Sequence, residues 1–189
     1  MSGPFELNKI DRRKGFVAGI AGGIVGVAAL QLYWRFLPKD AFEQIPNADE
    51  PLVFADKLPE IEPLFGGRHL PGEAATATAG RILYRAATGH APRNMAERRH
   101  LRALVLWGWG MVMGAAYGST RTTTRARDIA GGFFYGLRLW LGDAVLARLL
   151  GLERDPREWP LKRHLIWLTG HWVYSFVTAN VTRVLYRRL

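Results

Sequence analysis

Residues 16–37, FVAGIAGGIVGVAALQLYWRFL, carry only Gln31 and Arg35 as strongly polar side chains. About 20 consecutive apolar residues in a helix cross the hydrocarbon core of a bilayer, so this run constrains the fold more than any other stretch. Tyr33, Trp34 and Arg35 supply an interfacial anchor, and Pro38 ends the run. A secretory signal is the competing reading. A basic segment with paired arginines, Arg12-Arg13-Lys14, precedes the run, and Val27-Ala28-Ala29 has the small-residue form of a cleavage site. The run is nevertheless longer than the roughly 7–15 apolar residues of a signal, and its glycines Gly19, Gly22, Gly23 and Gly26 suit permanent helix packing. A retained membrane helix is the expectation.

Three further apolar segments follow, at 103–120, 129–150 and 165–185. In the second, Gly110, Gly114 and Gly118 recur every four residues, which sets three glycines on one helix face and lets another helix approach closely. The third repeats the small-residue spacing at Gly132 and Gly136, but also holds Arg138, Asp143 and Arg148. Arg138 and Asp143 lie about 140° apart around a helix. They are not a natural intrahelical pair, so Arg138 either snorkels or pairs with another helix. The connection 38–102 is acidic and proline-rich in its first part and cannot span. Its later part, about 73–89, reads as a short amphipathic helix with Arg81 and Arg85 one turn apart. That helix lies either on the bilayer surface or packed on the loop.

The net charge of +10 invites a nucleic-acid reading. The basic residues, however, flank apolar runs: Arg12-Arg13-Lys14, then Arg98, Arg99 and Arg102, then Arg121, Arg125 and Arg127, then Arg183, Arg187 and Arg188. That placement is the pattern of membrane anchoring, and no nucleic-acid partner is expected. The absence of cysteine excludes disulfides and thiolate chemistry. None of the five histidines forms the i,i+4 pair of a helical metal site, no serine sits in a G-x-S-x-G elbow, and no phosphate loop exists. No catalytic residue, metal or cofactor is expected.

The tetrapeptide IAGG opens both the first and the third segments, at 20–23 and 129–132. The second and fourth segments also align, Gly108 with Gly170 and Thr120-Arg121 with Thr182-Arg183. The chain therefore reads either as two repeated hairpins of like orientation or as a coincidence of residues common in membrane helices. The arginine flanks place both termini in the cytoplasm, although Arg98, Arg99 and Arg102 speak against that topology.

The fourth segment carries the chemistry worth following. His164, Leu168, His171, Ser175, Thr178 and Thr182 fall within about 80° of arc on a helix. Polar groups at membrane depth face the bundle interior or a wet cavity. One reading makes His171 a proton-handling or ligand-binding group with Asp143 or Arg138 as its partner. The other has the stripe fix helix packing through hydrogen bonds of about 1 kcal/mol each. Asn180 points away from the stripe and needs a separate partner.

From Trp109 onward, WGMVMGAAYG, IAGGFFYGLRLWLGDAVLARLLGLERDP and HLIWLTGHWVYSFVTANVTRVL together resemble the YagU-like family of small bacterial inner-membrane proteins. The likeness rests on Tyr117-Gly118, Trp140-Leu141, Asp143, Leu150-Gly151-Leu152, and His171 with Tyr174. The family's acidic pair is reduced here to Asp143-Ala144, Arg138 intrudes, and Trp107-Gly108-Trp109 stands where a histidine is expected. The resemblance implies membrane location and fold, not a reaction.

The sequence thus predicts an all-α integral membrane four-helix bundle in a cell inner membrane, with a long extramembrane loop between spans 1 and 2. Its partners are the lipid bilayer and either further copies of itself or another membrane protein. The expected role is structural or accessory, and the alternative is a small transporter or proton- or ion-conducting bundle.

Overall fold

Asp11 starts the first helix. Its Oδ1 accepts from the backbone N–H groups of Arg13 and Lys14 at 2.9 and 3.1 Å, partnering two of the donors that a helix start leaves open. From this cap α1 runs over Arg12–Phe36. The computed structural model describes residues 11–37, 69, 73–120, 129–153 and 156–189. The first, acidic part of the long loop and Arg121, Arg125 and Arg127 lie outside the described residues. Four more helices follow: α2 (Ala75–Thr88), α3 (Met95–Thr120), α4 (Ile129–Leu149) and α5 (Leu161–Arg188). The described residues contain no strand, so the fold is all-α.

Three of the four long helices, α1, α3 and α5, outrun the apolar segments. Helix α3 begins at Met95, well before residue 103, because Asn94 and Glu97 cap it there. Asn94 Oδ1 accepts from the Glu97 N–H at 2.9 Å, and Glu97 Oε2 accepts from the Arg93 N–H at 2.6 Å. Arg98, Arg99 and Arg102 are good helix formers, so apolarity marks the middle of this helix and not its ends. Only α1, among the described helices, is both long and apolar enough to cross a membrane by composition. The expectation of four such spans is met by that measure in one. The glycines, tryptophans and tyrosine of α3, Arg138 and Asp143 in α4, and the polar stripe of α5 hold the other helices below it.

The four long helices close a ring in the order α3, α1, α5, α4, with each neighbour antiparallel. Backbones meet at α1–α3, α1–α5 and α5–α4. Glycine makes the first contact. Gly15, Gly19 and Gly23 face Gly118, Gly114 and Gly110 in turn, each step of four along α1 matched by a step of four back along α3. A methyl on Gly114 would sit 2.7 Å from the Gly23 Cα, and one on Gly19 would sit 3.0 Å from the Ala115 Cα. Only glycine permits this separation. On its other side α1 meets α5, with Gly22 turned to Thr182 and Gly26 to Thr178 and Tyr174. In the last pair Gly132 faces the Phe176 ring, and Gly136 faces Ser175 and Trp172. The last glycine of each IAGG therefore faces its own hairpin partner: Gly23 meets a glycine, and Gly132 meets an aromatic ring.

Helix α2 packs on the first half of α3, where Gly80 lies against Leu101. The buried Glu73 carboxylate ties the two together. It accepts from Arg81 at 3.2 Å, Arg98 at 3.0 Å and the Thr78 hydroxyl at 3.0 Å. Arg81 thus points into the protein, leaving Arg85 as the outer member of the expected pair.

Gly151, at φ 63°, turns the chain from α4 towards α5. Its N–H reaches Arg148 O at 3.0 Å and the Leu152 N–H reaches Ala147 O at 2.7 Å, the paired bonds that close a helix end through a left-handed residue. Beyond it, buried Glu153 pairs with Arg163, whose guanidinium lies 4.1 Å over the Trp159 ring. Burial pushes the Glu153 carboxyl up to about 7 from 4.5, against the pull of Arg163. The folded chain then holds this proton more tightly than the unfolded chain. The stability it contributes is complete below about pH 4.5 and is lost as pH rises through about 7. The expected loss is about 3 kcal/mol. Thermal unfolding in detergent between pH 4 and 8 checks this, and Glu153→Gln should flatten the dependence.

Candidate functional site

Polar groups from three helices meet at the seam between α3 and α4, where side chains and not backbones bridge the gap. His171 of α5 places Nε2 3.1 Å from Asp143 Oδ2 of α4. The other carboxylate oxygen, Oδ1, accepts from the indole N–H of Trp109 on α3 at 3.2 Å. The second ring nitrogen of His171, Nδ1, lies 2.7 Å from the Trp167 carbonyl, one turn earlier in α5. Both members of the pair are largely covered, the histidine side chain 13% exposed and the aspartate 33%.

This geometry fixes a proton count. A carbonyl oxygen only accepts, so Nδ1 must carry a hydrogen. The contact between Nε2 and Oδ2 then needs a second one. Either the imidazolium donates to a carboxylate, or a carboxylic acid donates to a neutral ring. The Trp109 N–H stabilises the carboxylate, since a charged acceptor makes the stronger hydrogen bond. Of the two forms this hydrogen bond favours the ion pair of His171 and Asp143, oriented by one carbonyl and one indole.

Three tyrosines lie beside it. Tyr174 donates its hydroxyl to Gly110 O at 2.6 Å, and Tyr135 donates to Met113 O at 2.6 Å. The Tyr117 and Tyr135 rings approach to 4.7 Å between centroids. Glycines on α3 leave its carbonyls uncovered, so two tyrosines from neighbouring helices can reach them.

The remaining sequence-predicted residues disperse. His164 lies at the start of α5, with Nε2 donating to Pro156 O at 3.0 Å and its ring against Trp140 and Trp159. It belongs to the α4–α5 connection. Ser175 is buried, with its hydroxyl directed at Trp172 O at 3.2 Å and facing Gly136. Thr178 is buried against Gly26 of α1. Arg138 is exposed on the outer face of α4 and takes no part in the site. Asn180 finds its partner in the backbone, donating to Phe176 O at 2.8 Å. The expected stripe on α5 is thus divided: His171 and Ser175 turn to α4, Thr178 and Thr182 to α1.

Trp109, Tyr135 and Tyr174 were not foreseen as partners in this site. Tryptophan in an apolar run reads as an interfacial anchor. Two signals stood near them: Trp109 is beside Gly110, on a face that another helix must approach, and the family likeness set Tyr174 with His171 and Trp107-Gly108-Trp109 at the place of an expected histidine. Among the described residues no group of three histidine or carboxylate side chains is placed to hold a metal ion. Comparison with family models, curated proteins and solved structures found no match.

Proposed function

We propose that this chain is a multispanning integral membrane protein of structural or accessory role, with α1, α3, α4 and α5 crossing the bilayer. The observation that carries this reading is an inverted distribution of side chains. The largest fully buried side chains are Val27, Thr78, Thr178, Thr182 and Ser175. Phe16, Val17, Leu32, Leu104, Val112, Phe134, Val145 and Leu165 are all exposed. In water the hydrophobic effect drives such side chains inward. In lipid it has no hold between helices, and packing through small residues and interhelical hydrogen bonds takes over. Glycine and threonine inside with phenylalanine, leucine and valine outside fits the second solvent. The resemblance to YagU-like inner-membrane proteins agrees with it, as does α1 as a candidate span.

The proposed topology puts both termini in the cytoplasm, since Arg12, Arg13 and Lys14 open α1 and Arg187 and Arg188 close α5 at the same end of the ring. The chain lacks cysteine, so single cysteines report cleanly. In sealed vesicles, Arg188→Cys and Glu158→Cys should react with an impermeant maleimide from opposite sides, and Val112→Cys and Val145→Cys from neither. Reaction of Val112→Cys or Val145→Cys from water, or release of the chain from membranes by alkaline carbonate, would defeat the reading.

A second reading, a small transporter or proton-conducting bundle, draws on the His171–Asp143 pair alone. It requires pH-linked flux in proteoliposomes that disappears in His171→Ala while insertion is kept.

A further inference from the structure

We propose that the outer face of α4 docks a transmembrane helix of a different protein, one that carries an aspartate or glutamate near mid-membrane. This rests on the spanning reading above. Arg138 lies close to the middle of the 21-residue helix α4, about 14 Å from one end and 16 Å from the other at roughly 1.5 Å per residue. It is exposed, and it forms no hydrogen bond or ion pair with any described residue.

Arg138 also stands at the centre of a continuous outward stripe. Phe134, Leu141, Val145 and Leu149, which are 59, 49, 56 and 47% exposed, all fall within about 60° of it around the helix. Gly142 lies on the same stripe, and a methyl group there would meet nothing within 4 Å. The face has the make-up of a helix-docking surface: large apolar side chains, a glycine notch for close approach, and one charge at the centre.

A guanidinium at this depth cannot be left to lipid tails, because intramembrane charges face a partner, a backbone carbonyl or water. Snorkelling does not solve the problem. The hydrocarbon core is about 30 Å thick, and Arg138 sits further from either boundary than its side chain reaches. A second copy of this chain does not solve it either. Within the described membrane helices the carboxylates are Asp143, whose charge is met by His171 and Trp109 inside its own bundle, and Glu97, which lies in the first turn of α3, far from mid-membrane, and caps that helix. Charge complementarity therefore selects a foreign carboxylate, to which arginine makes a bidentate, geometrically specific bond.

The test is site-specific photo-crosslinking of the full chain in its native membrane, with a benzophenone side chain at Phe134 or at Val145. The expected product joins α4 to a membrane segment of another protein that contains Asp or Glu at the facing position. Arg138→Leu should weaken this association more than about thirtyfold, the usual effect of removing one partner of a buried charge pair. Arg138→Lys, which keeps the charge but loses the bidentate fork, should weaken it less than Arg138→Leu does. Arg138→Glu should abolish it, and an arginine at the partner's acidic position should restore it. Cross-links only to lipid, only to a second copy, or to a segment without an acidic residue overturn the proposal, as does an undiminished product in Arg138→Leu. Water-side maleimide labelling of Val145→Cys overturns the spanning reading and this proposal together. Protection of Val145→Cys with any of the adverse cross-linking results overturns this proposal alone.

Discussion

Replacing Gly114 by alanine is expected to destabilise the protein by about 3 kcal/mol, at the upper end of the usual cost of overpacking, and replacing it by leucine should part α1 from α3. The reason is what the new carbon would meet. At Gly114 it lies 2.7 Å from the Gly23 Cα and 2.8 Å from the Gly23 N. At Gly19 it lies 2.9 Å from the Gly114 carbonyl carbon. These neighbours are backbone, and no rotamer change relieves them. The whole helix would have to withdraw, and the matched steps at Gly15 and Gly118 and at Gly23 and Gly110 would open with it. Gly108 and Gly142 supply the control, since a methyl at either meets nothing within 4 Å. Alanine there should be neutral or stabilise by about 0.5–1 kcal/mol, because glycine loses more chain entropy in a helix than alanine does. Denaturant titration in detergent, followed by helical circular dichroism, separates the two groups. Equal effects at Gly114 and Gly108 would mean that α1 and α3 do not pack through glycine.

The glycine face of α3 could be read from the sequence because a spacing of four fixes direction around a helix whatever surrounds it. The same rule placed His171, Ser175 and Thr178 on one side of α5. It could not say what that side would meet. In a ring each helix touches two neighbours, and an arc of about 80° is wide enough to be shared between them. Ser175 therefore rests on Gly136 while Thr178 rests on Gly26. His164 left the stripe for a different reason. Helix α5 begins at Leu161, and its first turn folds into the connection around Trp159 and Glu153.

The meeting of Trp109 with Asp143 depends on the register between α3 and α4, which no periodicity within either helix encodes. Hydropathy misled at the helix ends as well. Arginine continues a helix as readily as leucine does, so α3 extends back to Asn94 through a run that looks like a loop by polarity. Arg138 was legible as a problem but not as a face. Only the exposure of Phe134, Leu141, Val145 and Leu149 around it shows that the charge and the apolar stripe belong to one surface.

Asp143→Leu is the other substitution expected to have a large effect, about 2 kcal/mol. It removes both acceptors at once, from the Trp109 indole N–H and from the His171 ring. The cost lies in the donors left behind: His171 is largely covered, and Nδ1 stays tied to the Trp167 carbonyl, so the ring cannot turn to another partner. Asp143→Asn separates charge from hydrogen bonding. Its amide can still donate to Nε2 and its carbonyl can still accept from Trp109, but only with a neutral ring. Nitrogen-15 spectra of labelled histidine should therefore show both His171 ring nitrogens protonated in the native protein and Nε2 bare in Asp143→Asn. A double-mutant cycle between Asp143→Leu and His171→Leu should return a coupling of at least about 1 kcal/mol, with the double variant less harmed than the sum of the two single ones. Coupling near zero, or a native ring with no proton between Nε2 and the carboxylate, would remove the ion pair, and with it the only group in the described helices on which a proton-conducting function could rest.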